Sequence, residues 1–373
     1  MSDDVRDADI KKAEFGQEAG PETTSINAAV EREQKSRVPR IFKAQAFQIL
    51  LVLIVIVIIF SIAAPDTFAQ LSNLRLVVQN ASILAVLGVG MTFIIITSGI
   101  DLSVGSVLVF SGVVAAIVMR AMGGSDWGTA TVGIIVSILS GLAWGTFNGI
   151  LISKAKVPPL IVTLGSLGMA LGLAQILTGG VDIRNVPAVL TTTIGYGNIL
   201  GGIPIISVIA LVFVLIGAFV LHKTKFGLYT YAVGSSEEAA RRVGVKVDRH
   251  LIKVYALSGG LAGVAGILSL SQFSTTAIAG QSQTNLNVIA AVVIGGTSLF
   301  GGYGTIFGTV VGLFIPAVLQ NGFVITGVQP FWQQVAVGAV LIAAVYVDQL
   351  RRASAARGAS TSLWSHFFRR NKK

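Results

Sequence analysis

This sequence predicts an all-α, polytopic helical membrane protein with about ten transmembrane helices, some of them broken or re-entrant. Three observations carry that expectation. Apolar runs of about 18 residues or more recur along the chain. Only 12% of the residues are charged, against roughly 25% in an ordinary soluble domain. The runs are continuous rather than alternating, which argues against a β-barrel. The 43 glycines add close helix-to-helix packing, because small residues let backbones approach in lipid. Without cysteine, disulfides, thiolate catalysis and Cys-type zinc sites are excluded.

Residues 1–44 are polar, mixed in charge and without a periodic apolar face, so a disordered N-terminal tail is expected there. The transmembrane domain is expected over 45–350, followed by a basic tail over 351–373. Its first span, Ala46–Ala64, reads as a retained signal-anchor helix, since the polar lead is too long for a cleaved signal peptide. Further spans are expected at Ala81–Ser98, Ser103–Met119, Thr129–Ile152, Pro159–Thr178 and Ile203–Leu221. Leu251–Leu270, Leu286–Leu299, Ile306–Val324 and Trp332–Val347 complete the set, with Ala81–Ser98 and Leu286–Leu299 short enough to be half-helices. Pro65–Asn80 is expected as a loop.

Charge placement orients these spans. Of the 27 Lys and Arg, 24 fall in residues 1–43, at Lys154 and Lys156, in 223–253 or after Leu350. If those groups face the cytoplasm, the positive-inside rule is met almost everywhere and both termini are cytoplasmic. The net charge of +10 then reports topology and an attraction to anionic lipid, not nucleic-acid binding.

The one long charged interval between the first and last spans is His222–His250. Within it, Ser235 and Glu238 have capping-box spacing. Glu237 with Arg241 and Glu238 with Arg242 are i,i+4 pairs in the better orientation, each worth roughly 0.2–0.5 kcal/mol. Ala239, Ala240 and Val243 form a small apolar stripe, and Gly244 is placed to stop the helix. Two turns of helix are too short to stand alone in water, so the segment needs a partner.

Two hydrophobic stretches, Thr97–Ser106 and Gly295–Thr305, are interrupted in a similar way. An ordinary tight turn is the preferred reading of each; a helix broken along a mid-membrane path is the alternative. Asp101, the one acid beside these spans in the first half, is read as opening the next helix together with Ser103, the alternative being a functional acid at membrane depth. Asn148, Asn287 and Asn321 join them as candidates to line a path for a neutral, hydroxyl-rich solute. Amides such as these also serve as interhelical bonds, which for any one of them is the commoner use.

No catalytic, metal or cofactor site is expected. The chain contains no Gly-Lys dipeptide, hence no GxxxxGK[ST] phosphate loop. Leu257-Ser-Gly-Gly260 resembles part of an ATPase signature but lies inside an apolar run. The three histidines, at 222, 250 and 366, fall in polar segments, so no His relay crosses the membrane.

Five ordered stretches carry a family resemblance: GMTFIIITSGIDLSVGSVL at 90–108, FNGILISKAKVPPLIVTLG at 147–165, TKFGLYTYAVGSSEEAARRVGV at 224–245, NLNVIAAVVIGGTSLFGGYGTIFGT at 285–309 and PFWQQV at 330–335. The chain resembles, over residues 47–349, the permease subunits of bacterial ABC importers of the ribose/xylose type. The resemblance implies a monosaccharide pathway in the inner membrane built from two permease copies. A separate cytoplasmic ATPase would bind the ATP, and a periplasmic or lipid-anchored binding protein would deliver the sugar. It also makes Ser236–Gly244 the coupling helix, with Ala239, Ala240 and Val243 in a groove of the ATPase and the charged residues at the rim. A permease for branched-chain amino acids or nucleosides is the first rival, a stand-alone secondary carrier the second.

Overall fold

The computed structural model describes residues 45–184, 186–199, 201–279, 283–329 and 331–356. The N-terminal tail and most of the C-terminal one, 357–373, lie outside them. The described residues form helices α1 (Gln45–Ala63), α2 (Leu71–Ile96), α3 (Val104–Met122), α4 (Trp127–Ser153), α5 (Pro159–Thr178) and α6 (Ile205–Lys223). After these come α7 (Lys225–Ser235), α8 (Glu237–Arg242), α9 (Val247–Phe273), α10 (Thr284–Ile294), α11 (Ile306–Ile325) and α12 (Phe331–Ala356). Between α5 and α6 lie a π-helical turn, Leu190–Gly195, and a minimal hairpin, Asn198–Ile199 with Ile203–Pro204. Seven of these helices are long and apolar enough to cross a membrane, and the chain is a multi-pass helical membrane protein.

Local chemistry sets the ends. Asp126 opens α4 by accepting from the Thr129 N–H, and Thr305 opens α11 by accepting from Gly308. Proline stands at the start of α5, where its missing N–H costs nothing, and Gly179 closes that helix at φ +63.

Two expected boundaries are corrected. The helix expected at Ala81–Ser98 begins at Leu71, so it is a full-length span, and of the loop expected at Pro65–Asn80 only 65–70 is one. The polar residues that disguised it all have partners: Asn73 exchanges amide hydrogen bonds with Asn321 (2.9 and 2.7 Å), Gln272 donates to Asn80 (2.7 Å), and Gln79 donates to the Gly195 carbonyl (3.4 Å). The last helix, expected over Trp332–Val347, runs from Phe331 to Ala356.

Helix α9 is the axis of the bundle. Beside it α4 runs antiparallel, one residue for one: Gly149 abuts Ile252, Gly145 abuts Tyr255, Gly141 abuts Gly259, and Ser137 donates to the Gly263 carbonyl at 2.8 Å. A Cβ at Gly141 would drive into the Gly259 carbonyl oxygen, so the two backbones touch with no side chain between them. Around this seam α2 and α3 are buried, whereas α6 shows Leu211, Leu215 and Phe219 outward, as lipid requires.

Used as a ruler, α9 exposes a broken path. Gly90 of α2 lies against Ser258, and Gly266 lies against Leu108 and Gly112 of α3. From Ile96, six residues below Gly90, the chain climbs to Val104, about six residues below the Leu108–Gly112 stretch, a rise of roughly 10 Å at 1.5 Å per residue. Helix α3 therefore starts at mid-depth. Half-helix α10 starts there too: the Asn285 side chain accepts from the Gly105 N–H at 2.6 Å. Its 11 residues, about 16 Å of helix, bring the chain back to the end of α2, where Gly302 donates to the Ile96 carbonyl at 2.9 Å. The turn expected at Thr97–Ser106 is thus a rising connection between broken spans, and only Gly295–Thr305 is a turn.

Candidate functional site

The short charged helix is held by its own chain. Ser236, not Ser235, is the cap: its hydroxyl accepts from the Ala239 N–H at 3.2 Å, while Ser235 completes α7. Capping-box spacing pointed one residue early because α7 runs on through Ser235. Both expected pairs form, Glu237 with Arg241 at 2.8 Å and Glu238 with Arg242. Gly244, at φ +86, stops the helix and lets Val245 donate back to the Ala240 carbonyl at 3.0 Å.

A second correction concerns the apolar stripe. Ala240 is buried within the chain against Val233, Val247 and Leu251, so it cannot enter a partner's groove. Arg241 also bonds Asp248, which in turn receives Lys156 at 3.1 Å from the turn after α4. Asp248 first, then Glu237, raise the Arg241 pKa further and keep its guanidinium charged. Inward packing and this ion cluster supply the support that the segment needs. Its outer surface is Ala239 and Val243, both exposed, Val243 at 79%.

Immediately behind α8 three connections meet. Ser98, at φ +62, turns its hydroxyl to the Phe300 carbonyl at 2.9 Å and the Gly234 carbonyl at 3.3 Å. Tyr231 of α7 donates to the Gly304 carbonyl at 2.7 Å. Burial first, and Tyr303 second, push the Tyr231 pKa up to about 12, so the hydroxyl stays a donor at physiological pH. A Cβ at Gly302 would meet Ser235 at 2.8 Å.

Three of the five path candidates come together just below the start of α3. Asp101 accepts from the N–H (2.8 Å) and hydroxyl (2.6 Å) of Ser103, Ser103 accepts from Asn148 (3.0 Å), and Asn148 accepts from Ser166 of α5. All four are buried. The network ties the raised start of α3 to α4 and α5, and Thr163 adds a bond to the Ile100 carbonyl at 3.3 Å. Asn287 lies elsewhere, half-buried on α10, and Asn321 is engaged with Asn73.

Asn285, Ser98, Tyr231 and Asp248 were not singled out as site residues from the sequence. Asn285 was visible only as one amide among several, because its partner Gly105 is 180 residues away. Among the described residues no group of His, Asp and Glu is placed to hold a metal ion.

Comparisons with known proteins agree over most of the chain. Residues 73–345 match the family described as branched-chain amino acid transport system / permease component. The ribose import permease protein of Escherichia coli strain K12 is 36% identical over 306 residues, covering 81% of this chain and 93% of that protein. Its counterpart in Bacillus subtilis strain 168 is 39% identical over 307 residues, covering 81% and 92%. The autoinducer 2 import system permease protein of Salmonella paratyphi B is 32% identical over 319 residues, covering 85% and 90%. No solved structure matches.

Proposed function

Because this chain belongs to the branched-chain amino acid transport system / permease component family, and so is a permease subunit of an ABC importer, we propose that it forms the pathway for a ribose-like monosaccharide. The observation that carries the mechanism is the exposed α8, joined within a few residues to both broken spans. The docked partner is a cytoplasmic ATPase that seats Ala239 and Val243, with Glu238 and Arg242 at the rim. It binds the ATP, since this chain has no phosphate loop. The α8 end, with Lys154, Lys156, Lys223 and Lys225 beside it, faces the cytoplasm of a bacterial inner membrane, as do both termini. A periplasmic or lipid-anchored sugar-binding protein delivers cargo at the opposite end.

The pathway takes a second permease copy. Its seat is α5, where Gly165, Gly168 and Gly172 have open space above them and the Gln175 amide is exposed on the same face. Lipid would leave that amide unsatisfied and the small residues unfilled.

Uptake couples to ATP as two states of one rigid assembly, ATPase closure moving α8 and the spans behind it. The buried donors and acceptors around Ser103 and Asn148 suit hydroxyl groups better than an ion. The same architecture could carry a branched-chain amino acid or nucleoside, so cargo is the point to test. The assembled transporter in proteoliposomes, offered ribose, xylose, leucine and a nucleoside, is expected to take up a pentose when ATP is supplied. Uptake of leucine or the nucleoside alone would overturn the sugar reading, and uptake independent of ATP would make the chain a carrier.

A further inference from the structure

Where α7, the rise after α2 and the turn after α10 converge, backbone meets backbone. Gly302 donates to Ile96, and the Ser98 hydroxyl reaches the carbonyls of Phe300 and Gly234. A Cβ at Gly234 would run into the Ile96 carbonyl oxygen and lie 2.7 Å from the Gly302 nitrogen. One at Gly301 would run into the Ser98 hydroxyl and lie 2.8 Å from the Gly234 carbonyl oxygen. Tyr231 fastens the same turn through Gly304. Gly234 stands two residues before Ser236, which caps α8.

We propose that this junction is the joint that transmits displacement of α8 to the two broken spans, with Ser98 and Tyr231 as its positioning residues. Helices α7, α8 and the start of α9 move as one piece, because Val233, Ala240, Val247 and Leu251 pack together and Asp248 ties Arg241 to Lys156. The joint is the place where that piece touches the connection that lifts α3 and the turn that ends α10. With the three backbones in contact and bridged by the Ser98 and Tyr231 hydroxyls, a shift on one side reaches the others as long as those bridges hold. Both spans start at mid-depth, where Asn285 caps Gly105, so a pull on their lower ends acts on the interrupted part of the pathway. The inference rests on the reading of α8 as the ATPase contact.

The test is uptake per ATP hydrolysed by the assembled transporter in proteoliposomes carrying Ser98→Ala, Tyr231→Phe or both. Each change deletes one hydroxyl and leaves the backbone path in place. Hydrolysis is expected to stay within about twofold, while uptake per ATP falls about fivefold for each variant and beyond tenfold for the pair, the scale of a lost coupling between two sites. Ser137→Ala, which deletes a hydrogen bond in the α4–α9 seam, is expected to leave the ratio unmoved. An unmoved ratio in Ser98→Ala and Tyr231→Phe, whether both activities persist or both decline together, would overturn the joint. If the unaltered transporter shows no ATP-driven uptake, the functional reading itself fails.

Discussion

In the seam between α4 and α9 a single added methyl at Gly141 or Gly259 meets the carbonyl oxygen of the other helix. Around α8, the Glu238 and Arg242 side chains are 77% and 76% exposed, and Val243 stands clear of the chain at 79%. Both regions are rich in small residues, yet the small residues serve opposite ends. In the seam they bring two backbones together permanently, because in lipid close packing and hydrogen bonds replace the hydrophobic drive. At α8 Ala239 is exposed, and in the proposed function it leaves room for the ATPase. From the contrast, substitutions in the seam are expected to act on folding, and substitutions on the outer face of α8 on coupling.

That contrast can be broken or sharpened by four changes, beginning with the largest. Gly259→Leu forces a branched side chain into the α4 backbone and is expected to cost about 3 kcal/mol or more, with loss of folded protein in detergent thermal melts. A stable variant with ordinary uptake would mean the seam is loose. Asn148→Leu strands the buried Ser166 hydroxyl and removes the donor to Ser103, and is expected to lower stability by about 1–3 kcal/mol. Its uptake should fall further than its melting temperature explains, since the start of α3 loses an anchor. Asp248→Ala removes the hub of the ion cluster, whose members are 39% to 60% exposed, so stability should change by less than about 1 kcal/mol. Uptake per ATP is nevertheless expected to drop, because Arg241 no longer holds α8 to α9 and Lys156 no longer holds the turn after α4 to α9. Glu238→Ala is the mildest, at about 0.2–0.5 kcal/mol, and intact stability with slightly weakened ATPase binding is the expected result.

Much of this region was legible in the sequence. Spacing alone identified the two ion pairs of α8 and its stop at Gly244, since both depend on residues within one turn. Spacing could not show that Ala240 faces Val233 and Leu251, because a helix of six residues has no periodicity long enough to separate an inner face from an outer one. The start of α2 was hidden by Ser72, Asn73, Arg75, Gln79 and Asn80, which read as loop until the distant partners of Asn73, Arg75, Gln79 and Asn80 are seen. The rise from Ile96 to Val104 was hidden for a different reason. A glycine–serine interruption has the same composition whether it turns at a surface or climbs through a membrane, and the long-range contacts of Gly90, Gly266 and Asn285 decide between them.

The central claim is that α8 is an outward-facing lever and not one more packed helix. Ala239→Arg tests it most directly, because Ala239 is exposed, makes no contribution to the Ala240 cluster, and leaves the cap at Ser236 in place. The account predicts a chain that inserts and melts as the unaltered one does, while ATP-dependent uptake by the assembled transporter in proteoliposomes is lost. Uptake at the unaltered rate would contradict it.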